Sequence, residues 1–91
     1  MQIVWDRSKA KDNVVRHGVR FSDVEPIFYD PRALTLEDAG SFGEQRFVTI
    51  GSDGIGRVLV VAYTYRGDDA IRVISARVAS PGERRLYEEG I

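Results

Sequence analysis

Few side chains in this sequence are suited to moving a proton or holding a phosphate, and they fall into three groups. The first is Lys9, Asn13 and His17, whose spacing of four puts them on one face of a helix. His17 is the sole histidine. Imidazole has an unperturbed pKa near neutrality, so His17 could pass a proton while Lys9 and Asn13 hold an anion. The second group is Arg46, Arg72 and Arg77, set in stretches that alternate apolar and polar residues as strands do. A guanidinium fork matches phosphate geometry, and an arginine within a strand must send its charge to an edge, a carboxylate or a ligand anion. The third group is Arg84 and Tyr87, three apart on a helix face, able to bind a phosphate and stack a base.

Each group also has a reading that needs no ligand. A histidine in the last turn of a helix complements the helix dipole, and Lys9 can simply be solvated. Any of the arginines can pair with Asp6, Glu44 or Glu83 and fix the sheet to the helices. Tyr87 can pack its ring on the sheet, and Tyr63 and Tyr65 share a strand face with Leu59 and Val61 as core or interface residues. Glu83 stands three residues after Ser80, so a capping box accounts for it without catalysis. Arg77 shares a strand face with Ser75, whereas Arg72 falls on the opposite face; the two cannot line one site without a bulge or an edge.

The elements that must position these groups follow from local signals. Gln2 to Trp5 is a short first or edge strand. Asp6 is a good N-cap and Gly18 a good C′ residue, so Arg7 to His17 is predicted as a helix with Ala10, Val14 and Val15 as its apolar stripe. A second helix is expected over about Ser22 to Phe28, with Pro26 arguing for a later start or an irregular form. Ala33 to Leu36 is a candidate short strand and Glu37 to Glu44 the longest loop. Gln45 to Ile50, Arg57 to Tyr65 and Ile71 to Val78 are predicted strands joined by short turns, an antiparallel meander. Val58 to Tyr63 has no polar break, the mark of a strand covered on both faces. Ser80, Pro81 and Glu83 open a C-terminal helix.

A chain of 91 residues makes one domain, spanning 1–91, that buries about two thirds of its unfolded surface. It has no cysteine, which excludes disulfides and thiolate metal sites. No pair of histidines or cluster of carboxylates suggests a metal, and no cofactor is expected. No apolar run approaches the length of a membrane span, and Trp5, Asp6 and Arg7 interrupt any signal peptide, so a cytoplasmic protein is expected. A net charge of −1 argues against a generic nucleic-acid coat. The charge is nonetheless uneven. Arg7, Lys9, Lys11, Arg16 and Arg20 crowd the first 22 residues, and acids dominate the next 22, a pattern that can steer an anion to one face. Gly51, Gly54 and Gly56 make no phosphate loop, since a strand follows them, and Arg66-Gly67-Asp68 is a turn.

Two blocks resemble a known family. Trp5-Asp6, Lys9, Asn13, His17-Gly18-Val19 and Phe21 form one; Ile71-Arg72-Val73-Ile74-Ser75-Ala76-Arg77, Glu83-Arg84 and Tyr87 form the other. Phe28, Asp30-Pro31, Glu44, Arg46, Gly51 and Val61-Ala62-Tyr63-Thr64 lie between. Together they resemble the BrnT toxins of type II toxin–antitoxin systems over essentially the whole chain. The resemblance implies an α+β fold similar to RelE-type toxins: a small antiparallel sheet of three to four strands, two N-terminal helices and one C-terminal helix. It implies a ribonuclease that blocks translation, with RNA, including ribosome-associated mRNA, as substrate. It also implies a ribbon-helix-helix antitoxin similar to BrnA, through which the complex reaches operator DNA. On that expectation His17, Arg46, Arg77, Arg84 and Tyr87 are the candidate catalytic residues, and Lys9, Asn13 and Arg72 the candidate substrate-binding ones. The alternative is a non-catalytic module of the same fold that binds the antitoxin and helps repress its operon.

Overall fold

The structure, a computed structural model, describes residues 1–38 and 43–90. Five strands form one sheet: β1 (Gln2–Trp5), β2 (Leu34–Asp38), β3 (Arg46–Ser52), β4 (Val58–Arg66) and β5 (Ala70–Val78), in the order β1-β5-β4-β3-β2. The expected meander is β3-β4-β5, antiparallel throughout, and β2 adds to it antiparallel. The sheet has more strands than the three to four expected, and it is mixed rather than purely antiparallel. β1 lies parallel to β5, with Ile3 opposite Ile71 and Trp5 opposite Val73. A parallel pair needs a long connection, and here nearly the whole chain supplies it. The middle of the loop expected over Glu37 to Glu44 lies outside the described residues.

Helix α1 (Arg7–His17) has the predicted bounds. The Asp6 carboxylate accepts from the Lys9 N–H at 3.0 Å, and Gly18 closes the helix at φ 69° with its N–H on the Val14 carbonyl. Its inward face is the predicted one only at Ala10, which packs on the core. Val15 is 85% and Val14 43% exposed, while Asn13 is 5% exposed. Beyond Trp5 the edge of β5 has no strand beside it, and α1 must cover peptide groups there, which favours an amide over an isopropyl group.

The second expected N-terminal helix is absent. In its place stand two 3₁₀ turns, Phe21–Asp23 and Glu25–Tyr29, and Ser22 makes no side-chain cap. Pro26, lacking an N–H, breaks the α-type ladder into these shorter pieces. The second turn lies tight against β3 at Gly51. A Cβ on Gly51 would come within 2.9 Å of Ile27 Cγ2. Helix α2 (Pro81–Glu89) has the full capping box, with Glu83 N–H donating to Ser80 Oγ at 3.2 Å and Ser80 N–H donating to Glu83 Oε1 at 2.9 Å.

The two faces of the sheet are covered unequally. On one, Leu59, Val61, Tyr63, Ile71, Val73 and Ala76 pack beneath Val19, Phe21, Val24 and Ile27 as the main core. On the other, Ile50, Val58 and Val60 lie beneath Tyr87 of α2. That helix covers only one end of its face; towards the β3 start Val48 and Ala62 are half-buried.

Candidate functional site: the open face of the sheet

The three strand arginines lie on this second face, Arg46 through the register of β3 and Arg72 together with Arg77 because β5 is bulged. Arg72 and Arg77 are an odd number of residues apart, which in an unbroken strand sends them to opposite sides. In the ladder Val73 faces Tyr63 and Ser75 faces Ala62, so Ile74 is an extra residue. The buried positions then run Ile71, Val73, Ala76, and Arg72 and Arg77 fall on the same side. The bulge that the sequence left as a condition is present.

Residues opposite one another across a sheet share a face, so the pairing fixes the layout. Arg72 faces Thr64 on β4; Arg46, one residue before the Phe47–Tyr63 pair, completes a row over β3 and faces Asp38 on β2. Two residues along comes a row of small or apolar side chains, Ser75, Ala62, Val48 and Leu36. After another two comes Arg77, in a row with Val60 and Ile50 at the foot of α2. Guanidinium groups thus stand at both ends of a floor of modest side chains.

Each of these arginines has a carboxylate. Arg77 makes a bidentate pair with Glu83, both N···O distances 2.7 Å. That hydrogen bonding, opposed by partial burial and helped by the Ser80 cap, holds the Glu83 carboxyl at about 2 and raises Arg77 above its ordinary value. Arg72 Nη2 donates to Glu44 Oε1 at 2.8 Å, and Arg46 Nε lies 4.0 Å from the same oxygen. The ion-pair reading of these residues therefore holds geometrically, with Glu83 and Glu44 as partners.

The α1 group forms a separate cleft at the outer edge of β5. Lys9, Asp12, Asn13, Arg16 and His17 line it with Ile74 and Ser75, enclosing about 240 Å³. Lys9, Asn13 and His17 do share a face, as their spacing required. Ser75 joins the cleft to the arginine face, since it also belongs to the floor row.

Three residues are placed differently from their expected roles. Asn13 has no free amide with which to bind substrate. Its Nδ2 donates to the carbonyls of Val19 and Ala76 at 2.9 and 2.8 Å, and its Oδ1 accepts from the Ala76 N–H at 3.1 Å. It continues the β5 ladder where β1 stops, so it positions α1. Tyr87 is 7% exposed and packs on Ile50, Val58 and Val60. Its hydroxyl donates to Asp30 Oδ2 at 2.6 Å; that bond, burial and the Asp30 charge together raise its pKa, so it anchors α2 rather than offering a proton. Arg84 shares the outer surface of α2 with Pro81, Arg85, Glu88 and Glu89 and bonds Glu88 at 3.1 Å, away from the sheet arginines. The helix phase explains this: Glu83 faces the sheet, so its neighbour faces outward.

Sequence reasoning gave Asp30 no role of its own and singled out no one arginine as the partner of Glu44. Asp30 accepts from Tyr87, from Ser52 N–H at 2.8 Å and from Arg32 N–H at 2.9 Å, joining the 3₁₀ turn, β3 and α2. Burial pushes its carboxyl up, but these donors and the Arg32 charge win and hold it below the usual range. In the sequence, Asp30-Pro31 reads as the end of the second helix and as part of the family pattern, and neither reading points to these contacts. Glu44 reads as one of several possible ion-pair partners and is the one that touches Arg72 and approaches Arg46.

The family model described as ribonuclease toxin, BrnT, of type II toxin–antitoxin system matches residues 5–83. The chain is also similar to the ribonuclease toxin BrnT of Brucella abortus, solved as a crystal structure. The two are 29% identical and superpose with a TM-score of 0.72, over 88% of this chain and 97% of that one. No curated protein sequence matches the chain.

Proposed function

The chain belongs to the BrnT family of ribonuclease toxins of type II toxin–antitoxin systems, and from that premise we propose that it is a metal-independent endoribonuclease whose RNA lies along the open face of the sheet. One observation carries this reading: the bulge at Ile74 brings Arg72 and Arg77 to the face that Arg46 of β3 also occupies, at the two ends of a floor that includes Ser75 and Ala62. Cleaving RNA without a metal requires that the 2′-OH lose a proton, that the crowded phosphorus centre be held by positive charge, and that the 5′-oxygen gain a proton. The sheet arginines supply the positive charge. His17 and Lys9, in the cleft that shares Ser75 with that face, are the proton carrier and an additional phosphate contact. The outcome for the cell is arrested translation in the cytoplasm, relieved by a ribbon-helix-helix antitoxin similar to BrnA that carries the complex to operator DNA.

Purified protein freed of antitoxin should cut RNA in the presence of EDTA. Arg77→Ala should slow it by about tenfold or more, the loss expected for a charge-assisted phosphate contact. RNA that stays intact at high protein concentration, with ribosomes supplied, would overturn the reading. Mixing the chain with the small protein encoded beside it should raise the mass seen by analytical ultracentrifugation.

A second reading draws support from the same face. Arg46, Arg72 and Arg77 all have a carboxylate at hand, and the net charge is −1, which suits a non-catalytic module that binds the antitoxin and acts as co-repressor. Induced expression without antitoxin separates the two. Growth arrest abolished by the arginine substitutions belongs to the enzyme, and unaffected growth to the module.

A further inference from the structure

We infer that Arg46 and Arg72 form a receptor for one backbone phosphate of a single-stranded RNA, and that the Glu44 carboxylate is a stand-in which that phosphate displaces. The inference rests on the proposed RNA-binding face, though not on cleavage. Glu44 sits between the two guanidinium groups but serves them poorly. It takes one hydrogen bond, from Arg72 Nη2, and reaches Arg46 only at 4.0 Å. Among the described residues, the buried side-chain nitrogen and oxygen atoms without a hydrogen-bond partner are Arg46 Nε and Arg72 Nε, one on each side of this carboxylate. Buried donors are almost always satisfied, so two orphans in one row mark a missing acceptor. A phosphodiester sets its two charged oxygens and two ester oxygens tetrahedrally about phosphorus and comes without a tether to β3, so it can seat between both forks where the chain-bound Glu44 carboxylate reaches only one.

The surroundings favour an exchangeable occupant. Glu44 is 44% exposed and can swing out to solvent. Thr64, between the arginines, is 5% exposed and committed to the Gln45 carbonyl at 2.8 Å, so it holds the start of β3 and leaves the guanidinium groups to the ligand. Asp38 faces Arg46 across the ladder and bounds the site on the β2 side. The other side opens onto Ser75 and Ala62. Arg77 stands about 14 Å further on, four residues along β4 at roughly 3.4 Å each. An extended strand seated on Arg46 and Arg72 would thus run towards Arg77, a direction that a lone inorganic anion has no use for.

The test uses a 2′-O-methyl RNA hexamer, which cannot be cut because its 2′-oxygen is blocked. The Nε–Hε NMR signals of the arginines are followed during titration of the whole chain. Saturable shifts of the Arg46 and Arg72 signals are expected, with inorganic phosphate at equal concentration leaving them in place. Glu44→Gln removes the competing charge and should tighten hexamer binding about two- to fivefold, the scale of an exposed ion pair. Arg72→Gln should weaken binding about tenfold or more. Unmoved signals, equal shifts with inorganic phosphate, or weaker binding by Glu44→Gln would overturn the inference. RNA cleavage with unmoved signals would do so while leaving the proposed function standing. Saturable hexamer binding by protein that leaves unmodified RNA intact would sink the function and keep the receptor.

Discussion

Position 83 shows how one side chain can meet two demands that look like one in the sequence. Its spacing from Ser80 identifies it as a capping-box carboxylate, and that is what it is. The same oxygens also hold Arg77, a pairing legible only as one of three acids within imaginable reach. Removing the side chain with Glu83→Ala should therefore cost about 1–2 kcal/mol of stability by urea unfolding, the size of a lost cap with some ion-pair contribution. The pH dependence has a definite sign. Folding lowers the Glu83 pKa from 4.5 to about 2, so the native state favours the ionised form. Its contribution is complete above about pH 4.5 and is lost as the pH falls towards 2. Glu83→Gln should lose less stability than the parent chain between pH 5 and pH 3; equal losses would mean that other carboxylates govern acid unfolding.

Among the elements, those with chemical punctuation were readable and those shaped by tertiary contact were not. Asp6 and Gly18 bound α1, and Ser80, Pro81 and Glu83 open α2, because capping is local chemistry. Pro26 warned of an irregular segment but could not say that two 3₁₀ turns would replace a helix. Nothing at Ile74-Ser75 announces a bulge; the odd spacing of Arg72 and Arg77 was the only clue that one was needed. The inward turn of α1 was misjudged for a related reason. Val14 and Val15 look like a core stripe until one knows that the surface beneath is a bare strand edge. Asn13→Ala would strand the Ala76 N–H and two carbonyls, and should cost about 2–3 kcal/mol by urea unfolding. Val15→Ser, at a site 85% exposed, should change stability by less than about 0.5 kcal/mol. Gly51→Ala should cost about 1–3 kcal/mol, because its new methyl meets Ile27 against the sheet.

Taken whole, the molecule carries almost no net charge, so any affinity for RNA must come from where its arginines stand. If one phosphate seats on Arg46 and Arg72 together and a second on Arg77, the logarithm of the binding constant should fall with the logarithm of salt at a slope of about −1.4, two phosphates at ~0.7 each for a single strand. A much steeper slope would point to the basic residues of α1 as further contacts. The meander and its flanking helices were visible from the sequence, since each strand pairs with its neighbour in the chain. The parallel docking of β1 on β5 was not, because no local pattern tells a four-residue strand which distant partner it will find. That same pairing sets an order of events during synthesis. Gln2–Trp5 leaves the ribosome well before its partner, Ala70–Val78, which carries Arg72 and Arg77. A chain cut short before β5 thus has neither a closed sheet edge nor these two guanidinium groups, so the edge and the cationic strand are completed in one step.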